Sequence, residues 1–536
     1  MEKRAWLTQY PEGIMSEIEI PNKSLPDILN ETTMQYPANK ALSFMGRKMT
    51  YQELSGTANR FAAALQTNGV KKGDRVAIML PNCPQYVIAY YGTLIMGGIV
   101  TQVNPMLVAR ELEHILADSG AETIVVLDAF YQTVKTAQPS TNLKNIIVVS
   151  LQPTNAQFES DRLFEKFITE ALTPAEPVKI DPRHDVAVLQ YTGGTTGRSK
   201  GAMLTHRNLV ANIYQTNEFY KQNVKQGKER YLTVIPLFHV FGMTACMNGS
   251  ILMAGENILL PRFDLEEVLQ TIKQEKPTIF PGVPTMYVAI NAHPKAKEYG
   301  IDSIEICNSG SAPMPLELMK EFESKTGAQI LEGYGLSEAA PVTHCNPPFG
   351  VRKPGTVGIA FPSTHCKIVD VATGTEEVPV GELGELIVKG PQIMKGYWNM
   401  PEETANALRD GWLFTGDIAM IDEDGYLSIV DRKKDLIIAG GYNIYPRDVE
   451  EVLYEHPSVQ EAVVIGVPDE YRGETVKAIL VLKANETATE KEIIEFCKGN
   501  MAAYRVPTIV EFRDELPKTN VGKILRRALR EEVQTK

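Results

Sequence analysis

Residues 191 to 200 read Tyr-Thr-Gly-Gly-Thr-Thr-Gly-Arg-Ser-Lys, a run of small residues closed by the cations Arg198 and Lys200. The preceding Asp185-Val-Ala-Val-Leu-Gln190 reads as a strand. Glycines at a strand end let the backbone turn tightly and come close to a guest. Peptide N–H groups, threonine hydroxyls and two cations then converge, which suits an oxyanion and above all a polyphosphate. A flexible polar loop would share this composition. The spacing of a Walker A loop is absent.

The chain around this loop alternates strand and helix. Ser24-Leu-Pro-Asp and Thr50-Tyr-Gln-Glu53 predict helix starts, and Leu54, Ala58, Phe61, Ala62 and Leu65 follow at helical spacing until Gly69. A strand over Arg75–Leu80, a buried helix from Tyr86, a strand over Ile99–Val103, a helix over Arg110–Ser119 and a strand over Thr123–Leu127 come next. This alternation predicts an α/β domain with a largely parallel sheet. Residues 150–180 read as a polar surface excursion. Thr233 to Met243 reads as a strand running into a wide turn that holds His239. Residues 350–430, with short apolar runs between glycines, predict antiparallel β structure. The tail reads as α+β: a helix over Pro446–Glu455, strands near Ala462–Ile465 and Lys477–Leu482, and a helix opened by Thr489-Glu-Lys-Glu492.

At 536 residues the chain exceeds one compact core, so two or more domains are expected. A formal charge of −12 argues against a nucleic-acid partner. The 6 cysteines are widely spaced, which predicts reduced thiols rather than disulfides or a zinc site. The first residues lack the apolar stretch of a secretion signal. The expected location is cytoplasmic.

The loop, running on through Gly201, resembles the phosphate-binding signature of the adenylate-forming superfamily: acyl- and aryl-CoA synthetases, peptide-synthetase adenylation domains and luciferases. Gly193 stands where that signature has serine, and Ser199 where it has proline. Further motifs extend the resemblance over nearly the whole chain. Leu331-Glu-Gly-Tyr-Gly-Leu-Ser-Glu338 resembles Tyr-Gly-x-Thr-Glu, Gly411-Trp-Leu-Phe-Thr-Gly-Asp417 a ribose-binding motif, and Leu516 to Lys523 a Pro-Lys-x-x-x-Gly-Lys motif. Overall similarity is greatest to the bacterial long-chain fatty-acid–CoA ligases.

The resemblance implies a large N-terminal domain, residues 1–431, with doubly wound sheets and a β-barrel-like subdomain. A small mobile α+β domain, residues 432–536, follows a hinge near 431–435 with Lys434 as pivot. It implies catalytic roles for Lys523, Glu338, Thr192 and His239, and Mg²⁺ at Glu338. ATP and AMP would meet Thr192, Gly193, Gly194, Thr195, Thr196, Gly197 and Lys200. They would also meet Gly310, Ser311 and Ala312, then Glu332, Gly333, Tyr334, Gly335 and Ser337. Asp417, Ile429, Arg432 and Lys523 complete that set, with Tyr334 on adenine and Asp417 on the ribose. The acyl pocket would be lined by His239, Val240, Met243, Gly282, Val283, Gly310 and Gly335, and the CoA tunnel by Gly440, Gly441 and Tyr442. A lone histidine among apolar residues is as readily a hydrogen-bonded core group as a functional one.

The implied chemistry activates a fatty acid as its acyl-adenylate and passes the acyl group to coenzyme A, using ATP, Mg²⁺ and coenzyme A. A medium-chain or aryl-CoA ligase shares these motifs. A non-catalytic adenylate-binding protein would lack Lys523, Glu338 or Asp417, and all three are present. Peripheral contact with the inner face of the membrane and a homodimer complete the expectations.

Overall fold

The computed structural model describes residues 4–534 except 153–157, 159–160, 172, 193–198, 312–313, 315, 434, 440–441, 470–472 and 519–523, and only the backbone at 442–443 and 534. The chain divides into two compact units, residues 1–365 with 388–413, and residues 366–387 with 414–536.

Local signals set the first helices of the larger unit. Ser24 and Thr50 each accept a hydrogen bond from a backbone N–H three residues on, and Asp27 and Glu53 return it, so both form capping boxes. The helices run Leu25–Gln35 and Tyr51–Thr67. The apolar stretch from Tyr86 resolves into a helix over Pro84–Ile95 and a strand over Ile99–Gln102. Among the described residues, no helix is long and apolar enough to cross a membrane.

One sheet has seven strands in the order Arg162–Leu163, Asn145–Val149, Thr123–Leu127, Arg75–Met79, Ile99–Gln102, Val186–Thr192 and Lys200–Thr205. Its central pairs are parallel and only the last is antiparallel. Such strands are covered on both faces, which explains why Val76–Met79 is continuously apolar and buried. Leu112 and Leu116 pack on Ala77, Ile124 and Val126.

A second sheet has nine strands, and its centre is again parallel. Ile279–Gly282, Ile306–Ser309 and Gln329–Gly335 lie side by side with Gly282, Ser309 and Glu332 in register. The C-terminal ends of these three strands therefore open at one edge, the place where parallel α/β sheets bind ligands. Phe280, Ile330, Tyr287 and Phe322 form the core beneath.

The expected strand running into a wide turn that holds His239 is found, but it is shorter than Thr233 to Met243 and helix takes its last residues. The strand ends at Thr233, residues 234–239 form a turn, and helix begins at Val240 with π-helical turns over Gly242–Asn248. An added Cβ on Gly242 would sit 2.3 Å from the carbonyl oxygen of Pro236, so the helix starts against its own preceding turn. Only a residue without a side chain permits that approach.

The smaller unit begins with β structure, as the glycine-spaced segments predict. Trp412–Ile421 pairs antiparallel with Leu427–Arg432, joined by a turn in which Asp422 accepts from the N–H groups of Asp424 and Tyr426. In the tail, Val459–Asp469 pairs antiparallel with Gly473–Leu482, and Ile509–Phe512 adds in parallel. Helices over Pro446–Tyr454, Glu490–Asn500 and Arg526–Gln534 cover this sheet. Residues 366–387 and 414–431 group with the tail in the smaller unit. Arg526 supplies a physical reason: its guanidinium reaches both oxygens of Glu450, at 2.7 and 2.6 Å, and Asp431 at 3.4 Å. Arg530 pairs with Asp435 at 2.9 Å.

Candidate active site

The larger unit gathers its polar groups at the strand edge described above. Thr192 ends its strand opposite Lys200, and the Ser199 hydroxyl donates to the Thr192 carbonyl over 2.7 Å. The residues that flank the glycine-threonine motif are thus joined to each other. Tyr191 is held in turn: its hydroxyl donates to Asp118 over 2.6 Å, and its ring lies 3.1 Å from where a Cβ of Gly201 would stand. Gly193, Gly194, Thr195, Thr196 and Gly197 lie outside the described residues.

Lys200 forms an ion pair with Glu403 and lies over the ring of Tyr397, 5.0 Å from its centroid. The Tyr397 hydroxyl donates to Glu338 Oε1 over 2.7 Å. Glu338 and Lys200, 138 positions apart in the chain by subtraction of their numbers, thus share one aromatic neighbour. Burial and the Glu338 carboxylate push the Tyr397 phenol well above its usual range, so it stays a donor at neutral pH. Backbone pairing carries Tyr397 here. The N–H of Met203 donates to the Gly396 carbonyl over 2.8 Å, that of Trp398 donates to the Gly201 carbonyl over 2.8 Å, and that of Met394 donates to the Glu338 carbonyl over 2.8 Å. The sequence reading does not single out Tyr397 or Glu403. Nothing within residues 394–403 announces them, because their partners are remote in the chain.

Glu338 meets the requirements of Mg²⁺. That ion takes one or two carboxylates and completes its shell with phosphate oxygens and water, and among the described residues no cluster of three metal-ligating side chains exists. Glu338, half-buried and hydrogen-bonded by Tyr397, offers one carboxylate of the kind that ion takes.

Around it, Glu332 is buried and accepts from the Gly355 N–H over 3.0 Å, so its carboxylate fastens the neighbouring loop. Tyr334 pairs across the strands with His344, ring centroids 6.3 Å apart. Gly333 and Gly335 face backbone: an added Cβ on Gly335 would stand 2.3 Å from the Pro341 carbonyl oxygen. Ser337 is half-buried one residue before Glu338. Burial alone lowers His344 to about 3, so the imidazole is neutral.

Several residues of the expected acyl pocket lie near one another. The Gly310 N–H donates to the Gly282 carbonyl over 3.3 Å, and the Phe241 ring lies 3.2 Å from where a Gly310 Cβ would stand. Ser311 follows at φ +69°. Val240, Met243 and Val283 are buried. His239 is half-buried, and its Nδ1 accepts from the Phe241 N–H over 3.2 Å, which orients the ring at the start of the helix. Ala312 lies outside the described residues.

In the smaller unit, Asp417 is buried and Arg432 Nε stands 2.6 Å from its Oδ1, two residues directly opposite in the antiparallel pair. The Asp417 N–H donates to Thr415 Oγ1 over 3.1 Å, and that hydroxyl donates to the Leu386 carbonyl over 2.7 Å. The Ile429 carbonyl accepts from Arg447. Lys434, Gly440, Gly441, the Tyr442 side chain and Lys523 lie outside the described residues.

Residues 29–398 match the AMP-binding enzyme family, and residues 448–523 match the AMP-binding enzyme C-terminal domain. The chain is 49% identical over 554 aligned positions to a long-chain-fatty-acid–CoA ligase of Bacillus subtilis, covering 99% of this chain and 98% of the relative. It is 38% identical to a feruloyl-CoA synthase of Amycolatopsis, covering 92% and 96%. The crystal structure of ATP-bound MatB from Rhodopseudomonas palustris superposes with a TM-score of 0.86 at 31% identity, covering 95% of this chain and 99% of that one. The chain belongs to the AMP-binding enzyme family, and it matches both the family's main model and its C-terminal domain.

Proposed function

We propose that this enzyme is a long-chain fatty-acid–CoA ligase that forms an acyl-adenylate and then a thioester. The observation that carries the reading is the cluster in which Tyr397 donates to Glu338 while its ring lies under the ammonium of Lys200, three positions after Gly197 of the glycine-threonine motif in sequence. Its whole-chain similarity to the B. subtilis ligase supports the substrate class.

A fatty acid is already ionised at pH 7, so the first step needs no general base. The carboxylate oxygen bonds to the α-phosphorus, the bond to the bridging oxygen breaks, and pyrophosphate leaves. This demands charge neutralisation and in-line positioning. We assign Thr192, Lys200 and the loop residues 193–197 to the phosphates, and Tyr334 to the adenine with Glu332, Gly333, Ser311 and Ala312 around it. Ser337 takes the α-phosphate, and Asp417, oriented by Arg432, takes the ribose beside Ile429. Mg²⁺, held by Glu338, would neutralise charge on the phosphates. Lys523 stabilises the adenylation transition state. In the second step the CoA sulfur bonds to the acyl carbon, the bond to AMP breaks, and the thiol proton is released. Gly440, Gly441 and Tyr442 admit the pantetheine arm. Lys434 turns a domain of residues 432–536 between the steps, and excluding water protects the adenylate. His239, Val240, Met243, Gly282, Val283, Gly310 and Gly335 line the acyl site.

The proposal extends to peripheral contact with the inner face of the membrane, where long acyl chains partition, and to a homodimer. Co-sedimentation with vesicles tests the first and sedimentation velocity the second. Pyrophosphate release measured across a panel of fatty acids and ferulate tests the substrate class. Turnover should rise towards long chains. Preference for ferulate would support an aryl-CoA ligase, and nucleotide binding without pyrophosphate release a non-catalytic protein.

A further inference from the structure

Glu403 has no role in the chemistry above, yet it holds the ammonium assigned to the phosphates. The Lys200 side chain is 13% exposed and that of Glu403 38%, so the pair sits at the boundary between the site and water. Glu403 is held there by a short frame. The Tyr397 N–H donates to Thr404 Oγ1 over 2.8 Å, and that hydroxyl donates to the Met400 carbonyl over 2.9 Å. Gly396, paired to Met203, packs against Thr404, whose Cγ2 lies 2.7 Å from where a Cβ of Gly396 would stand. Residues 396–404 therefore fix the carboxylate over the strand that carries Lys200.

One ammonium cannot serve two anions equally. A carboxylate placed beside it lowers the affinity of any phosphate that arrives, and does so most for the most highly charged one. Pyrophosphate, once cut from the nucleotide, is still a multiply charged anion. Bound to an unopposed lysine, it would leave slowly.

We propose that Glu403 is the exchange partner of Lys200: it surrenders the ammonium to the β- and γ-phosphates of ATP and reclaims it as pyrophosphate departs. Glu403 acts through Lys200 and is a positioning residue. The inference rests on the assignment of Lys200 to the phosphates.

Glu403→Gln keeps the shape and removes the charge. The KM for ATP and the inhibition constant for inorganic pyrophosphate should both fall by about five-fold, the scale of a partly exposed ion pair. Inhibition by AMP, which carries neither phosphate, should not change. Lys200→Ala should raise both constants, and Glu403→Gln should add nothing in that background, the signature of coupled residues. Unchanged or raised constants in Glu403→Gln, with both raised in Lys200→Ala, would overturn the exchange while leaving the phosphate assignment standing. Unchanged constants in Lys200→Ala would remove the assignment itself, and the exchange with it.

Discussion

The Tyr397 hydroxyl donates to Glu338 over 2.7 Å while the same ring supports Lys200, 5.0 Å from its centroid. One side chain thereby sets the positions of the proposed metal ligand and the proposed phosphate cation. Tyr397→Phe keeps the ring and its attraction for the ammonium but frees the carboxylate. A hydrogen bond to a charged group contributes about 1.5–3 kcal/mol, so adenylation should slow ten-fold or more and demand more Mg²⁺. Pyrophosphate release titrated with Mg²⁺ checks this, and an unchanged Mg²⁺ optimum would separate Tyr397 from the metal.

Asp417 and Arg432 make the corresponding pair in the smaller unit, 2.6 Å apart. Asp417→Ala should weaken ATP use, and the variant should discriminate less between ATP and 2′-deoxy-ATP than the parent does. Comparing kcat/KM for the two nucleotides decides the matter. Equal discrimination in both proteins would leave Asp417 as no more than the anchor of Arg432.

Two buried histidines make stability depend on pH. Burial lowers His206 to about 4 and His344 to about 3, and His206 Nδ1 accepts from the Leu25 N–H over 3.3 Å. Both are neutral in the native state, whereas unfolded histidine titrates near 6.5. Below that value the unfolded chain binds more protons, so stability falls as pH drops from about 6.5 towards 4, by up to about 1.4 kcal/mol per pH unit for each histidine. His206→Asn retains an acceptor and removes the titration. Denaturant unfolding across this range should show a shallower slope for the variant, and parallel slopes would assign the acid sensitivity to other groups.

The features legible in the sequence are those that depend on near neighbours. The helix cap at Ser24 and the capping boxes at Thr50 and Thr489 form where the sequence predicts them. The parallel sheets follow from apolar strands alternating with helices, and glycine-rich strand ends mark the candidate site. The helix after Thr233 was not legible because a short apolar run has the same pattern as a buried strand, and the contact of Gly242 with Pro236 that decides it is tertiary. Spacing within the basic tail says nothing of Arg526, which is bound to Glu450 and Asp431, 76 and 95 residues away. Tyr397 and Glu403 escaped for the same reason, since each acquires meaning only beside Lys200.

The two-step reading predicts mirror-image variants. Lys523→Ala should cut acyl-adenylate formation by about 10²-fold or more, the scale for losing a preorganised charge contact, and spare thioester formation from supplied acyl-adenylate. Lys434→Pro fixes φ at the proposed pivot. It should form the adenylate at a near-normal rate and make almost no thioester, with an unchanged melting temperature. Equal loss of both half-reactions in Lys523→Ala, or normal thioester formation in Lys434→Pro, would contradict the domain swing.

The most direct measurement is the exchange of labelled pyrophosphate into ATP, with a long-chain fatty acid and Mg²⁺ but no coenzyme A. The account predicts exchange that depends on the fatty acid, followed by stoichiometric AMP and acyl-CoA once coenzyme A is added. No exchange until coenzyme A is present, or ADP and phosphate as products, would contradict an acyl-adenylate intermediate.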